Sequence, residues 1–267
     1  EAFPERAATP LWKISESEEL YQVGAWGNGY FAINQRGRLE VRPERSEKSC
    51  DLFELVQSLQ QRGLTPPILL RFDQVLRDRV AAIQGAFRKA IEESKYGGRY
   101  HLAYPIKVNQ QFQVVEAVRL AGVESPLALE VGSKPELLAV LALMDNPDAL
   151  LICNGYKDRV FLETALLATR LGHQPVIVIE RFSELVELVQ VSRDLNIKPV
   201  VGLRAKLMSK GSGKWESSGG ERSKFGLTAT EMTEAVELMR RENMLDCLQL
   251  LHFHIGSQIT TVGPFLD

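Results

Sequence analysis

Lys107 stands inside the apolar run YPIKVN (104–109), where a hydrophobic residue would otherwise continue a strand. A lysine at a strand end ordinarily lays its stem over apolar surface and keeps its ammonium in water. The chemical alternative is an amine desolvated enough to lower its pKa and attack an aldehyde, as Schiff-base enzymes require. His254 lies between Phe253 and Ile255 and is followed at once by Gly256 and Ser257. The amide and hydroxyl of that small pair could meet a phosphate. A lone histidine in such a run is more often a satisfied core residue. His252, two residues earlier, would share a strand face with His254, and one of the two need only be structural.

Other chemistries find less support. The stretch GSGKWESSGGERSKFG (211–226) invites a phosphate-loop reading, but Met208 and Trp215 stand where that pattern needs Gly and Ser or Thr. It reads instead as a long Gly/Ser-rich functional loop, against the plainer alternative of a solvated surface loop. His252 and His254 alternate on a strand, yet no cysteine or carboxylate cluster completes a metal shell. No GxSxG elbow supports a serine nucleophile. Cys50, Cys153 and Cys247 are odd in number and irregularly spaced, which argues against a disulfide framework and fits buried thiols in a reducing cytoplasm.

The elements that must position these residues follow from the hydrophobic pattern. From about Tyr100 onward, short apolar runs alternate with helical periodicity. The strand candidates are HLAYPIKV, PLALEVG, ALLICNG, PVIVIE, KPVVGLRAKL and LQLLHFHIG, with QQFQVVEAVRLAG, SKPELLAVLALM, KDRVFLETALLATRLG, SELVELVQVSRDL and TATEMTEAVELMRREN between and around them. Continuous apolar strands alternating with helices predict an α/β fold with a parallel sheet covered by helices. Six units at near-regular spacing fit an unfinished (β/α)8 barrel better than an open doubly wound sheet. The last two strands are expected beyond Asp267, and the chain reads as cut there. It also begins at Glu1 rather than Met, as a trimmed or partial chain would.

The expected organisation has three parts. Residues 1–50 form a segment with a hairpin, YFAIN and LEVRP around Gln35-Arg36-Gly37. Residues 51–99 are a helical lead-in, in which DLFELVQSLQQRG ends on Gly63 as a helix stop and RVAAIQGAFRKAIEES is amphipathic. Residues 100–267 are the truncated barrel.

In such a barrel, chemistry sits at the C-terminal ends of strands. Those positions hold Lys107 and Asn109, then Glu130, Gly132 and Ser133, then Cys153, Asn154 and Gly155, then Arg204, and finally His252, His254, Gly256 and Ser257. Polar groups in apolar strands are costly unless partnered. Several at one end of one barrel point to a site. The composition, 45% hydrophobic and 25% charged with a formal net charge of −2, is that of a globular protein and gives no reason to expect nucleic acid or an anionic membrane as partner. No apolar run is long enough to span a bilayer.

The segments YPIKVNQ (104–110), LEVGSKPEL (129–137), CNGYKD (153–158), GSGKWESSGGERSKFGL (211–227), LLHFHIGSQ (250–258) and WGNGYFAIN (26–34) carry a resemblance. They closely resemble the biosynthetic arginine decarboxylases, a branch of the pyridoxal-phosphate decarboxylases of alanine-racemase-like fold. YPIKVN, SKFG and HIGSQ have counterparts across that superfamily, including diaminopimelate decarboxylases, whereas CNGYKD and KWESSGGE look specific to the arginine branch. The resemblance implies a cofactor-binding barrel plus a β-rich second domain, to which the segment 1–50 would belong.

It further implies that Lys107 forms the Schiff base with pyridoxal 5′-phosphate, that His254 stacks on its ring and that Ser257 helps hold its phosphate. Arg204 falls where the superfamily keeps an arginine close to the ring. Glu130 matches an acidic position near the lysine, and Glu136 would orient neighbouring groups. The implied reaction is decarboxylation of L-arginine to agmatine and CO2, the first step of agmatine and polyamine synthesis, in a homo-oligomer whose sites are shared between cytoplasmic subunits. A magnesium requirement belongs to the family pattern alone. Residues reading the guanidinium are expected beyond Asp267, so residues 1–267 alone are expected to be inactive. The alternatives are a decarboxylase of diaminopimelate or ornithine on the same fold, or a non-catalytic regulatory homologue.

Overall fold

The computed structural model describes residues 12–122, 127–207 and 224–256. The chain divides into two compact units, Glu1–Ala90 and Ile91–Asp267.

In the first unit, two short helices, α1 (Ile14–Tyr21) and α2 (Val23–Gly27), precede an antiparallel sheet of β1 (Phe31–Ile33), β2 (Leu39–Val41) and β3 (Cys50–Asp51). The expected hairpin is β1–β2, with Ile33 opposite Leu39. Its turn closes on Asn34, whose side-chain oxygen accepts the N–H groups of Arg36 and Arg38. Gly37, at φ 72°, supplies the left-handed residue that turn needs. Asp51 then ends β3 and caps α3 (Leu52–Gln61), accepting the N–H groups of Phe53 and Glu54 at 2.9 and 3.1 Å. Helix α3 stops before Gly63 at φ 88°, the anticipated helix stop. Helix α4 (Asp73–Ser94) follows, and the division between the units falls within it. The pair α1–α2 and strand β3 were not anticipated from sequence. Each is a few residues long, and the periodicity of such short pieces is hidden among glycines and aromatics.

The second unit carries six parallel strands: β4 (Ala103–Pro105), β5 (Ala128–Val131), β6 (Leu150–Cys153), β7 (Gln174–Ile179), β8 (Val200–Arg204) and β9 (Leu248–His252). They pair strictly in chain order. A doubly wound sheet would reverse direction at a switch point; sequential order is the arrangement of barrel strands. The fold is thus α/β, with about six units of a (β/α)8 barrel. Helices α5 (Phe112–Ala121), α6 (Lys134–Leu143), α7 (Arg159–Ala168), α8 (Phe182–Leu195) and α9 (Ala229–Arg241) occupy the connections.

The four central strands supply Leu129, Leu151, Ile177, Ile179 and Leu203 to the core, where they are fully buried with Phe161, Leu162, Leu166, Leu185 and Leu188 of α7 and α8. Each such side chain contributes roughly 1.5–3 kcal/mol by leaving water. Helix starts are fixed by polar caps. Asp158 accepts the Phe161 N–H at 2.9 Å to start α7, and Thr228 and Glu231 form a capping box at the head of α9.

One expectation about the first barrel strand needs correction. HLAYPIKV does not run as one strand through Lys107. Its ladder ends with Pro105, opposite Glu130, and Ile106–Val108 turn into a single 3-10 turn. Pro105 has no N–H to extend the ladder, so the chain leaves the sheet there. Lys107 sits on that turn, and its side chain is exposed rather than desolvated.

Candidate active site at the C-terminal end of the parallel sheet

The polar residues named from sequence collect where five parallel strands end. Glu130 lies one residue before the end of β5, is 7% exposed, and accepts a hydrogen bond from Asn154 Nδ2 at 3.2 Å. Asn154 follows Cys153, the last residue of β6. The Cys153 thiol is fully enclosed, and burial pushes it up to about 12, so it stays a neutral thiol packed at the strand end. Arg204 ends β8 directly opposite His252, which ends β9. Lys107 and His254 are exposed on the segments just past β4 and β9. Glu136 accepts the Gly132 N–H at 2.7 Å, pinning the β5–α6 turn. Ser257 lies outside the described residues, as does most of the 211–226 loop.

Electrostatics tie the group together. Burial first, then the positive charges of Arg204 and Lys107, lower the His254 pKa, while Glu180 opposes them. His252 is driven down to about 4, mainly by burial and then by Arg204. Both imidazoles are therefore neutral at pH 7. Lys107, Arg204 and His254 stand at the same end of one parallel sheet, although β4, β8 and β9 are far apart in sequence.

The most deeply buried part of the mouth was not singled out from sequence. Glu180 follows β7 and is 2% exposed. Its Oε1 accepts the Gly155 N–H at 2.8 Å and Arg204 Nη1 at 3.1 Å. Glu184, 3% exposed, accepts the Glu180 N–H at 3.0 Å and the Lys157 N–H at 3.1 Å. The Lys157 ammonium, itself buried, pairs with Glu184 at 3.3 Å and donates to the Gly155 carbonyl. Gly155 makes this meeting possible. It sits at φ 72°, and a Cβ there would come within 2.4 Å of the Gly132 carbonyl oxygen. The signal available in sequence was Glu180 itself, an acid closing the apolar run VIVI just as Glu130 follows LAL.

Three buried polar atoms at this end have no hydrogen-bond partner: Asn154 Oδ1, Glu180 Oε2 and His252 Nδ1. Buried polar atoms are rarely left so. Among the described residues two more, Arg119 Nε and His173 Nδ1, lie toward the other end of the sheet. The atoms here therefore mark a place for a polar ligand only together with the residues around them. The donor set suits an aldehyde carried on an aromatic ring. It offers a primary amine held by no ion pair among the described residues, neutral imidazoles and a fixed guanidinium. Among the described residues, no group of three His, Cys, Asp or Glu could hold a metal ion, and no helix is long and apolar enough to cross a membrane.

Comparison with known proteins decides the family. Residues 79–267 match the model of the pyridoxal-dependent decarboxylase family, pyridoxal binding domain. The chain belongs to that family. Among curated members, the biosynthetic arginine decarboxylase of Thermosynechococcus vestitus is 50% identical over 260 residues, covering 97% of this chain and 41% of that protein. That of Bacteroides thetaiotaomicron is 47% identical over 251 residues, covering 94% and 40%.

Among solved members, the biosynthetic arginine decarboxylase of Campylobacter jejuni superposes with a TM-score of 0.81 at 34% identity, over 91% of this chain and 38% of that one. A diaminopimelate decarboxylase from M. jannaschii shares the fold, with a TM-score of 0.68 at 21% identity. The chain thus spans about two fifths of the length of its curated relatives. The family's cofactor is pyridoxal phosphate, and the end of the sheet that gathers Lys107, Arg204 and the two histidines is the face where a (β/α)8 barrel builds its site.

Proposed function

We propose that the protein of which this chain is part decarboxylates L-arginine to agmatine and CO2, using pyridoxal phosphate held through Lys107. The observation that carries this reading is the gathering of Lys107, Glu130, Arg204 and His254 at the C-terminal ends of the parallel strands, with the Lys107 amine accessible just past β4. The 50% identity to a biosynthetic arginine decarboxylase supports the choice of substrate.

Bound pyridoxal phosphate supplies an electron sink for the pair left on the α-carbon when CO2 departs. The chain's own residues hold and orient. Lys107 provides the amine that engages the cofactor's aldehyde. His254, neutral at pH 7, offers a flat imidazole face without adding positive charge beside the ring. Arg204, fixed by Glu180, places a guanidinium at the same mouth. Glu130 is anchored by Asn154 within two residues' register of Lys107. Ser257 is assigned to the cofactor's phosphate. Magnesium finds no ligand group among the described residues, and is left to the family pattern. The segment 1–50 is assigned to the β-rich domain and 100–267 to the barrel. The active form is a homo-oligomer with shared sites.

The test uses the full-length parent protein with pyridoxal phosphate, alongside Lys107→Ala. CO2 release and agmatine formation are followed from arginine, with ornithine, lysine and diaminopimelate as competitors. Arginine-selective turnover that vanishes in the variant is expected. Because Lys107 is exposed, the variant should melt like the parent. Turnover of another amino acid would sink the choice of substrate. Cofactor binding without turnover would identify a non-catalytic homologue.

A further inference from the structure

The geometry points to Glu180 as a positioning residue, whose carboxylate holds the Arg204 guanidinium in place for the bound cofactor; this rests on the pyridoxal reading above. Glu180 is clamped along its backbone. Its N–H is held by Glu184 at 3.0 Å, and its carbonyl accepts the Gly226 N–H at 3.1 Å. Those bonds draw on α8, on the turn before α9 and on the strand end of β7 at once. A carboxylate fixed so firmly at 2% exposure is a rigid anchor.

Arg204 has no such clamp on its side chain. Among the described residues its one ion pair is with Glu180 Oε1, and its guanidinium lies 5.7 Å from the Phe225 ring centroid. A long arginine side chain has several rotatable bonds, and two contacts choose one arrangement among them. The same oxygen of Glu180 also takes the Gly155 N–H, which fixes the carboxylate plane and leaves Oε2 buried without a partner. The arrangement favours charge over shape. A neutral side chain would satisfy Gly155 equally well, whereas a guanidinium only 16% exposed is best held by an anion. Glu180 also acts on both histidines in the sense opposite to Arg204, so the pair is seen by His252 and His254 as a dipole rather than a net charge.

A merely structural ion pair and a positioning pair differ in one measurable respect. If Glu180 serves the cofactor only through Arg204, its charge must cease to matter once Arg204 is gone. The experiment is a double-mutant cycle on the full-length parent protein: Glu180→Gln, Arg204→Met, and the two together. Pyridoxal phosphate affinity is measured by equilibrium dialysis, with the cofactor's absorption maximum and the melting temperature recorded for each protein. Glu180→Gln is expected to weaken cofactor binding about tenfold and shift the absorption maximum toward that of Arg204→Met. The double variant should bind as Arg204→Met does, within about twofold.

Wild-type affinity in Glu180→Gln, or a further loss in the double variant beyond Arg204→Met, would overturn the assignment. If Glu180→Gln does not fold, Glu180→Asp, which keeps the charge but draws it back from the guanidinium, takes its place in the cycle with the same expected and overturning outcomes. A parent protein that binds no pyridoxal phosphate would overturn the functional reading as well, and that failure is visible before any variant is made.

Discussion

The two ends of the parallel sheet carry similar charged residues in opposite circumstances. At the N-terminal end, Lys198 pairs with Asp246 at 2.8 Å with both side chains well over half exposed, and Arg119 pairs with an exposed Asp145. At the C-terminal end, Glu130, Lys157, Glu180 and Glu184 are all buried below 8% exposure. Water screens Lys198 and Asp246, so that pair rearranges at little cost. The second set exchanges hydration for one another, and each member is held only while its partners stay. Stability explains the exposed Lys198–Asp246 pair without remainder. The second set is an expensive way to end three strands, and it coincides with the mouth that gathers Lys107, Arg204, His252 and His254.

The sharpest way to expose the difference is to remove one buried charge. Lys157→Met leaves Glu184 buried without its cation, in a pair whose side chains are 0% and 2% exposed. Losing one partner of such a pair costs about 3–5 kcal/mol. Replacing both, as Lys157→Met with Glu184→Leu, should recover part of that loss, although the N–H groups of Glu180 and Lys157 then lose their acceptor. Denaturant titration of the parent protein and both variants measures it. Equal stability of Lys157→Met and wild type would erase the contrast between the two ends.

Next comes the backbone that brings the charges together. Gly155→Ala forces a Cβ to within 2.4 Å of the Gly132 carbonyl at a φ of 72°. A non-glycine residue there should cost more than about 1 kcal/mol. The same shift would move the Gly155 N–H away from Glu180, so cofactor affinity should fall together with stability. A fall in stability alone would separate the loop from the site.

What could be read from sequence follows the same division. The four central strands were legible because each is a continuous apolar run, the pattern of a strand buried on both faces. Strands β4 and β9 at the edges follow from the regular spacing of the units. Lys107, Glu130, Arg204 and His254 were legible because each breaks such a run or closes one. Lys157 and Glu184 break nothing. Lys157 sits in a polar loop and Glu184 in the first turn of α8, where acids are commonplace. Their burial arises from a pairing 27 residues apart in the chain, which no local pattern encodes. The turn at Lys107 was hidden for a different reason. Pro105 can end an edge strand or merely interrupt it, and only the ladder with β5 settles which.

A smaller effect should appear in the acid range. The folded-state pKa of His252 is about 4, below its ordinary 6.5. Between those values the unfolded chain binds a proton that the folded chain refuses. Stability from this group is therefore present above about pH 6.5 and is lost as pH falls toward 4. His252→Gln should flatten the decline in melting temperature across that window and leave the behaviour above pH 7 unchanged. An equal decline in both proteins would mean that His252 is as solvated as the pairs at the other end.

The smallest expected effect is the control for all of these. Lys198→Ala removes a cation whose contact with Asp246 is as short as many buried ones. Distance alone would rank that pair above Lys157–Glu184, which is longer at 3.3 Å. Exposure reverses the ranking, because an exposed carboxylate deprived of its lysine returns to water. The melting temperature of Lys198→Ala should therefore match that of the parent, at low salt and at high salt alike. A drop comparable to that of Lys157→Met would mean that contact length, and not burial, sets the cost at both ends of the sheet. The buried cluster would then need no functional explanation.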